Sequence, residues 1–417
     1  MEREAAKLLD ARDPLARFRD RFSHPDPELI YLDGNSLGML PLRSRERLRE
    51  VVDTEWGAGL IRSWNAGWVA LSQRTGDLLG STLLGATAGQ VAICDSTTVN
   101  LYKLATAALD QRPGRRVIVS DLHNFPTDRY VLEGIAAQRD LELRLVEFDE
   151  LSGPTPTALD AAMDADIALV CLSHVDYRSA AIADMAAVNA VAHDHGALVL
   201  WDLCHSVGAV PVELDATETD FAVGCTYKYL NAGPGAPAFV YARRELLARA
   251  RQPIWGWFGQ TDQFAMGPGY QPQPDIRRFL AGTPPVLGIS LVEEGVRLLA
   301  EAGIDALRAK GVALTNLAID LFDEWLAPLG FELASPREAA VRGSHVSLAH
   351  PEAYRISRAL IERENVIADF RGPDRLRIGP APITTRFVDV WDAFARMRSL
   401  VETGAHLGFG ADRAAVT

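Results

Sequence analysis

Between about residues 90 and 245, short apolar runs alternate with stretches of helical spacing. Val91-Ala-Ile-Cys94, Val117–Ser120, Ile167–Leu172, Ala197–Trp201 and Phe221–Cys225 are continuous apolar runs of strand length, the pattern of strands buried on both faces. After the first of them, Val99, Leu101, Leu104, Ala105 and Ala108 recur at roughly helical spacing and predict a helix of about eleven residues. Met185–His195 predicts another. Strand, helix and strand in alternation predict an α/β fold with a mostly parallel sheet and helical crossovers. Before this region, residues 1–30 read as helical up to a break near Pro25 and Pro27, and residues 42–60 read as a helix. After it, residues 250–290 lack periodicity, and long loops of that kind are usually functional or lie at an interface. A long helix is predicted from 286 to 310. Short strands at His345–Leu348, Val366–Asp369 and Arg375–Ile378 then alternate with helical patterns, as in a smaller α+β domain. The 417 residues suit about two domains: a large one over 61–310, a small one over 311–417, and an N-terminal segment, 1–60, expected to pack with the small domain.

Two apolar runs deliver chemistry at their carboxyl ends. Ala197–Trp201 ends on Asp202, and Phe221–Cys225 leads into Thr226-Tyr227-Lys228-Tyr229. In open α/β sheets that edge is where ligands bind. An acid and an amine there suit pyridoxal phosphate: the lysine condenses with its aldehyde, and the acid pairs with the pyridinium nitrogen. There are only four lysines. Lys7 and Lys310 read as solvated side chains and Lys103 lies inside a predicted helix, so Lys228 alone directly follows a buried strand. The hydroxyl run Ser96-Thr97-Thr98 at a helix start reads either as a cap or, better after a strand, as a phosphate cup. Phe125 follows a strand and can stack on a flat ring. Trp56, Trp64 and Trp68 form an aromatic cluster, usually core but also a wall for an aromatic ligand. Tyr31–Gly38 is a small polar turn that suits ligand contact, although an ordinary turn fits the composition equally. Arg375 and Arg377 share one face of a strand, and one or both can clamp a carboxylate, with a solvated edge-strand charge as the competing reading. No G-x-G-x-x-G opens a helix after a strand, which speaks against a dinucleotide site.

The formal net charge of −13, with 55 acidic against 42 basic residues, argues against nucleic acid or an anionic membrane surface as partner. Cys94, Cys171, Cys204 and Cys225 sit in or beside apolar runs without C-x-x-C spacing, and read as buried thiols rather than metal ligands or disulfides. The N-terminus lacks the apolar core of a signal peptide and no apolar run approaches membrane-spanning length, so a cytoplasmic protein is expected.

Together, Tyr31–Gly38, Thr97–Asn100, Phe125-Pro126-Thr127-Asp128, Asp202-Leu-Cys-His205, Thr226–Gly233, Trp257-Phe-Gly259 and Arg377-Ile-Gly-Pro-Ala-Pro382 resemble kynureninase, a fold-type I pyridoxal-phosphate family, over nearly the whole chain. The resemblance implies hydrolysis of L-kynurenine at its Cβ–Cγ bond to anthranilate and L-alanine, in tryptophan catabolism or on the route to NAD. It implies that Lys228 holds the cofactor and moves protons at Cα, that Asp202 pairs with the pyridinium with His205 beside it, and that Phe125 stacks on the ring. Thr97, Thr98 and Tyr227 would bind the phosphate, with Pro126, Thr127, Asp128 and Ser173 also lining the pocket, and Tyr227 as candidate proton donor. Trp257 and Thr283 match positions that reach the partner subunit's cofactor in the family homodimer. Arg377 matches the residue gripping the substrate carboxylate, and Asn35, Ser36 and Trp64 complete the expected substrate site. The relatives that favour 3-hydroxykynurenine resemble this chain but carry His in place of Trp64 and Asn in place of Thr283, which implies a preference here for unsubstituted kynurenine. The competing readings are a class V aminotransferase, a cysteine desulfurase, which needs a nucleophilic Cys on a mobile loop, and a non-catalytic protein of the same fold.

Overall fold

The apolar runs become strands of one seven-stranded sheet in the computed structural model, which describes residues 2–410. Its order is Val91–Ile93, Phe239–Ala242, Phe221–Gly224, Leu198–Asp202, Ile167–Ser173, Val117–Asp121 and Glu142–Val146. The last five pair in parallel, while Phe239–Ala242 runs antiparallel to both of its neighbours. Strand side chains alternate between faces, and both faces are covered. Val199 and Trp201 join one core with Leu71, Val188, Val292 and Val296, whereas Leu198 and Leu200 join another with Leu101, Leu104, Leu132 and Ile135. The runs are therefore apolar throughout rather than alternating. Fully buried Phe221 and Phe239 each contribute about 1.5–3 kcal/mol through burial alone.

A second core surrounds an antiparallel sheet in the order Asp369–Arg371, Arg375–Ile378, Val346–Ala349 and Glu332–Leu333. The start of the chain is built into this part. Phe387 and Val388 N–H groups donate to Asp10 at 2.6 and 3.0 Å, Arg3 pairs with Asp392, and Ile30–Tyr31 lies parallel to Val366–Ile367.

Three expectations need correction. The helix predicted over 286–310 is two helices, Val286–Ala302 and Ile304–Leu321, separated by Gly303 at φ 81°, a left-handed backbone that glycine adopts without a Cβ penalty. The strand predicted over Val366–Asp369 divides into Val366–Ile367 and Asp369–Arg371, which belong to different sheets. Lys310 is buried, with its Nζ 2.6 Å from Asp13, because the N-terminal segment covers the helix face that would otherwise meet water. Among the described residues, no helix is long and apolar enough to cross a membrane.

Candidate active site

Asp202 ends its strand at the carboxyl edge of the parallel sheet. Its Oδ1 accepts the Cys204 N–H at 2.7 Å, and its backbone carbonyl accepts from His174 N at 3.0 Å, which fixes the carboxylate's direction. Asp128 reaches the same place from the first turn of the helix Pro126–Arg139, where Pro126 removes an N–H that the helix could not have satisfied. Asp128 is buried and its Oδ2 has no hydrogen-bond partner among the described residues. Burial pushes its pKa well up and the adjacent Asp202 carboxylate adds to that push, while Lys228 opposes it. Asp128 is thereby biased toward its neutral form beside Asp202.

Lys228 follows the strand Phe221–Gly224 and is buried among the same groups. Its Nζ lies 3.3 Å from His205 Nε2 and 5.9 Å from the centroid of the Phe125 ring. Burial, reinforced by Lys228, lowers the pKa of His205, so the imidazole stays neutral and accepts from the ammonium. His345, which the sequence pattern did not single out, stands 5.8 Å behind His205 between ring centroids. It is fully buried, burial drives its pKa down to about 3, and neither ring nitrogen has a partner among the described residues. The Tyr227 phenol is half-buried, and burial together with Cys225 and Cys204 raises its pKa, which keeps its proton in place.

Around this centre, Ser96 caps the fourteen-residue helix Thr97–Asp110, accepting the Val99 N–H at 3.4 Å. That leaves the hydroxyl of Thr98 and N–H groups of the first turn, without partners among the described residues, open to an anion, with the Thr97 hydroxyl beside them. Thr97 sits against the Asp202 loop, its Oγ1 3.8 Å from Cys204 Sγ, and Thr98 is exposed. Ser173 donates to Asn124 Oδ1 at 2.7 Å and Asn124 donates to Ser120, tying two strand ends together beneath Phe125. Phe125 meets Tyr177 edge-on at 5.3 Å, and Thr127 is half-buried in the following turn.

A second group of charges gathers around Arg377, which is 1 % exposed. Its Nε donates to Asp369 Oδ1 at 2.7 Å, a second guanidinium nitrogen bonds Asp369 Oδ2, another donates to the Tyr177 carbonyl at 2.5 Å, and Nη2 is 3.2 Å from Ser36 Oγ. Ser36 donates to Asp369 at 2.8 Å, and Arg371 pairs with the same carboxylate at 2.8 Å. Burial works against the charge on Arg377, but the paired Asp369 outweighs it and holds the pKa above its usual value. Asp33 lies close by; burial, with Asp369 adding, pushes its pKa up to about 7. Arg375 shares the strand face but binds Glu150 and Asp374 instead. The partner of Arg377 is therefore Arg371, two residues beyond the predicted strand end. Asn35 is fully buried with both amide atoms unpaired among the described residues, against Gly379, where any Cβ would collide with it.

The turn Asp33–Gly38 joins the two groups. Ser36 touches Arg377, and two residues on the Gly38 N–H donates to the Tyr227 carbonyl at 2.8 Å. A Cβ at Gly38 would collide with the backbone carbonyl of Lys228 and with Asn231. Trp64 and Thr283 come together elsewhere, in a hollow of about 370 Å³ completed by Trp56, Trp68 and Pro285; none of the residues around Lys228 lines it. Trp257, 41 % exposed, packs edge-on against Phe258, which in turn meets Trp64.

The central donors suit a planar pyridine bearing an aldehyde and a phosphate. An unpartnered buried carboxyl oxygen waits beside Asp202, an amine faces it, an aromatic face lies near that amine, and an open helix start supplies anion donors.

Similarity to known proteins agrees with this geometry. Residues 307–397 match the family model described as the kynureninase C-terminal domain. The fold is similar to that of a cysteine desulfurase from Thermococcus onnurineus NA1 (TM-score 0.80, 19% identity, 93% of this chain and 98% of that one). It is also similar to a mutant of C-DES with glycine covalently linked to its PLP cofactor (TM-score 0.79, 19% identity, 91% and 98%). These likenesses establish a fold-type I architecture. The curated relative from Pseudomonas fluorescens named kynureninase is 47% identical over 392 residues, 92% of each chain. A buried lysine and carboxyl pair at the sheet edge, set in such a sequence, leave one assignment: the chain belongs to the kynureninase family.

Proposed function

We propose that this protein hydrolyses L-kynurenine at the Cβ–Cγ bond, releasing anthranilate and L-alanine, with pyridoxal phosphate as cofactor. The observation that carries the reading is Lys228, its Nζ 3.3 Å from a neutral His205 and facing the Asp202–Asp128 pair. When bound, the cofactor draws electrons from the substrate's Cα and so loosens the bond beyond Cβ. Lys228 would hold the cofactor and carry a proton to and from Cα, with His205 accepting from its ammonium. Asp202 would keep a positive ring nitrogen, Asp128 remaining uncharged beside it. Thr97, Thr98 and the first-turn N–H groups would bind the phosphate, with Ser173 and Thr127 along the pocket wall. Phe125 would stack on the ring. Tyr227, kept protonated, would give its phenolic proton to Cβ as Cγ, hydrated by a water molecule, departs as the carboxyl group of anthranilate. Arg377, its Nε and Nη2 taken by Asp369, would meet the substrate carboxylate through the remaining N–H of Nη1, with Arg371 alongside and Asn35 below.

Trp64, Trp257 and Thr283 are proposed to act in the partner's site of a homodimer. Their distance from the Lys228 group and the exposure of Trp56, Trp255, Phe264 and Met266 around them support this. Trp64 is bulkier than the His of the relatives that favour 3-hydroxykynurenine and leaves less room for a ring hydroxyl, which supports a preference for kynurenine over 3-hydroxykynurenine. The segments 1–60, 61–310 and 311–417 are proposed as an N-terminal clasp, a cofactor domain and a small domain. Kynurenine as substrate would place the enzyme in tryptophan catabolism. Four buried cysteines without disulfides support a reducing, cytoplasmic setting. They also count against desulfurase chemistry, which needs an accessible thiolate.

The deciding experiment supplies L-kynurenine without a keto-acid acceptor and follows anthranilate fluorescence. Equimolar anthranilate and alanine are expected. Turnover only when a keto acid is added would replace this reading with a transaminase.

A further inference from the structure

A cavity of about 790 Å³ opens at the other edge of the sheet, where the strands Val117–Asp121 and Glu142–Val146 begin. The first of these strands spans roughly 16 Å at about 3.3 Å per residue, which separates the cavity from the Asp202 edge. Six arginines line it (Arg112, Arg115, Arg116, Arg139, Arg249 and Arg251) against one acid, Asp110. This is the reverse of the chain as a whole, whose formal charge is −13.

The arginines come from two directions. Four belong to the turn before Val117 and the end of the helix Pro126–Arg139, and two follow the short helix Arg244–Leu247. Arg112 and Arg115 are braced on backbone carbonyls: Arg112 on Gly196 at 2.7 Å, Arg115 on Ile167 and His195 at 2.7 and 2.8 Å. Arg139 bonds Asp110, and Arg116 bonds Asp140. Arg249 and Arg251 are exposed and their side chains make no hydrogen bond or ion pair among the described residues, so their forks are free. Burial lowers the pKa of Arg112; Asp220 opposes this, and the like charges of Arg115 and Arg249 add to it. Gathering like charges is unfavourable unless an anion neutralises them. A single carboxylate would leave most of this charge unmatched, whereas adjoining phosphates present several oxygens to several forks. Leu109 and Leu141 add an apolar wall to the same cavity.

We infer that this arginine-lined cavity is a second, non-catalytic binding site for small molecules carrying two or more adjoining phosphates. Such a group is carried by nucleoside diphosphates and by inorganic pyrophosphate alike.

Titration calorimetry on the cofactor-loaded enzyme at low salt tests this, with ADP and pyrophosphate as separate probes and the cofactor's absorbance recorded throughout. Saturable binding is expected without change in that absorbance, weakening as salt rises. In Arg249→Gln/Arg251→Gln, whose altered side chains make no hydrogen bond or ion pair among the described residues, affinity should fall at least about tenfold. Kynurenine turnover should be unchanged. ADP binding more tightly than pyrophosphate would assign the apolar wall to a nucleoside; equal affinity would assign the site to the diphosphate alone. The inference is overturned by the absence of binding with both probes, by equal affinity in wild type and double variant, or by binding that displaces the cofactor.

Discussion

The cofactor edge and the arginine cluster do comparable work with differently built parts. At the sheet edge, Asp202, Lys228, Asp128 and Ser173 each sit at or just beyond the end of a strand, or on the helix that follows one, and one parallel sheet sets all of them. Around Arg377 the parts come from three remote places: the turn holding Ser36, the carbonyl of Tyr177, and the strand pair carrying Asp369, Arg371 and Arg377. The first site is a consequence of topology. The second exists only after the N-terminal segment, the large sheet and the small sheet have packed.

The largest effect should come from the first region. Lys228→Ala is expected to abolish anthranilate production while circular dichroism stays native, because the lysine sits in a turn and no strand pairing depends on it. Retained turnover would detach the chemistry from the sheet edge. In the second region, Arg377→Lys keeps the charge opposite Asp369 but loses the fork. Losing a bidentate, charge-assisted contact should lower kcat/KM by about 100-fold, mostly through KM. A change confined to kcat would show that Arg377 does not hold the carboxylate.

Asp13→Asn asks whether docking of the N-terminal segment is the foundation of the second region. It strands Lys310, whose pair with Asp13 is almost fully buried, and should cost about 3–5 kcal/mol in urea denaturation. Asp33→Asn should have the smallest effect. With its folded pKa about 7, Asp33 is neutral at lower pH and ionises above it, adding a second carboxylate that competes with substrate for Arg377 and Arg371. KM should therefore rise a few-fold above pH 7 in the parent and stay flat in the variant. Because the folded pKa lies above the ordinary aspartate value of 3.8, the stabilisation from this proton is complete below 3.8 and lost as pH rises through about 7. Urea midpoints of parent and variant should agree at the lower end of that window and separate at its upper end, the parent falling below the variant.

This difference in construction also explains what could be read from the chain. A buried parallel strand is an unbroken apolar run, and the residue after it is necessarily at the ligand edge, so Asp202 and Lys228 were visible in advance. Asp369 was visible only as the end of a predicted strand. Nothing in its neighbourhood shows that Arg377 and Arg371 will both fall on it, or that Arg375 will turn to Glu150. Lys310 misled for the same reason: helical periodicity shows which face is polar, but not that a segment three hundred residues away will cover that face. His345 left no mark because it is a lone imidazole in an apolar strand start, the commonest setting for a merely buried histidine. Gly303 was legible in principle, as a glycine inside a helical pattern, but its positive φ is a property of the packed pair of helices.

The turn Asp33–Gly38 has a mechanical meaning. One end bears on the guanidinium of Arg377 and the other on the backbone that carries Lys228, with no flexible link between. With Arg377 holding an amino acid's carboxylate as proposed, the turn would act as a calliper, fixing where that carboxylate stands relative to the backbone of Lys228. Shortening the chain to begin after residue 40 would remove this turn and, with it, Leu15, Phe18 and Phe22 from the core of the large sheet.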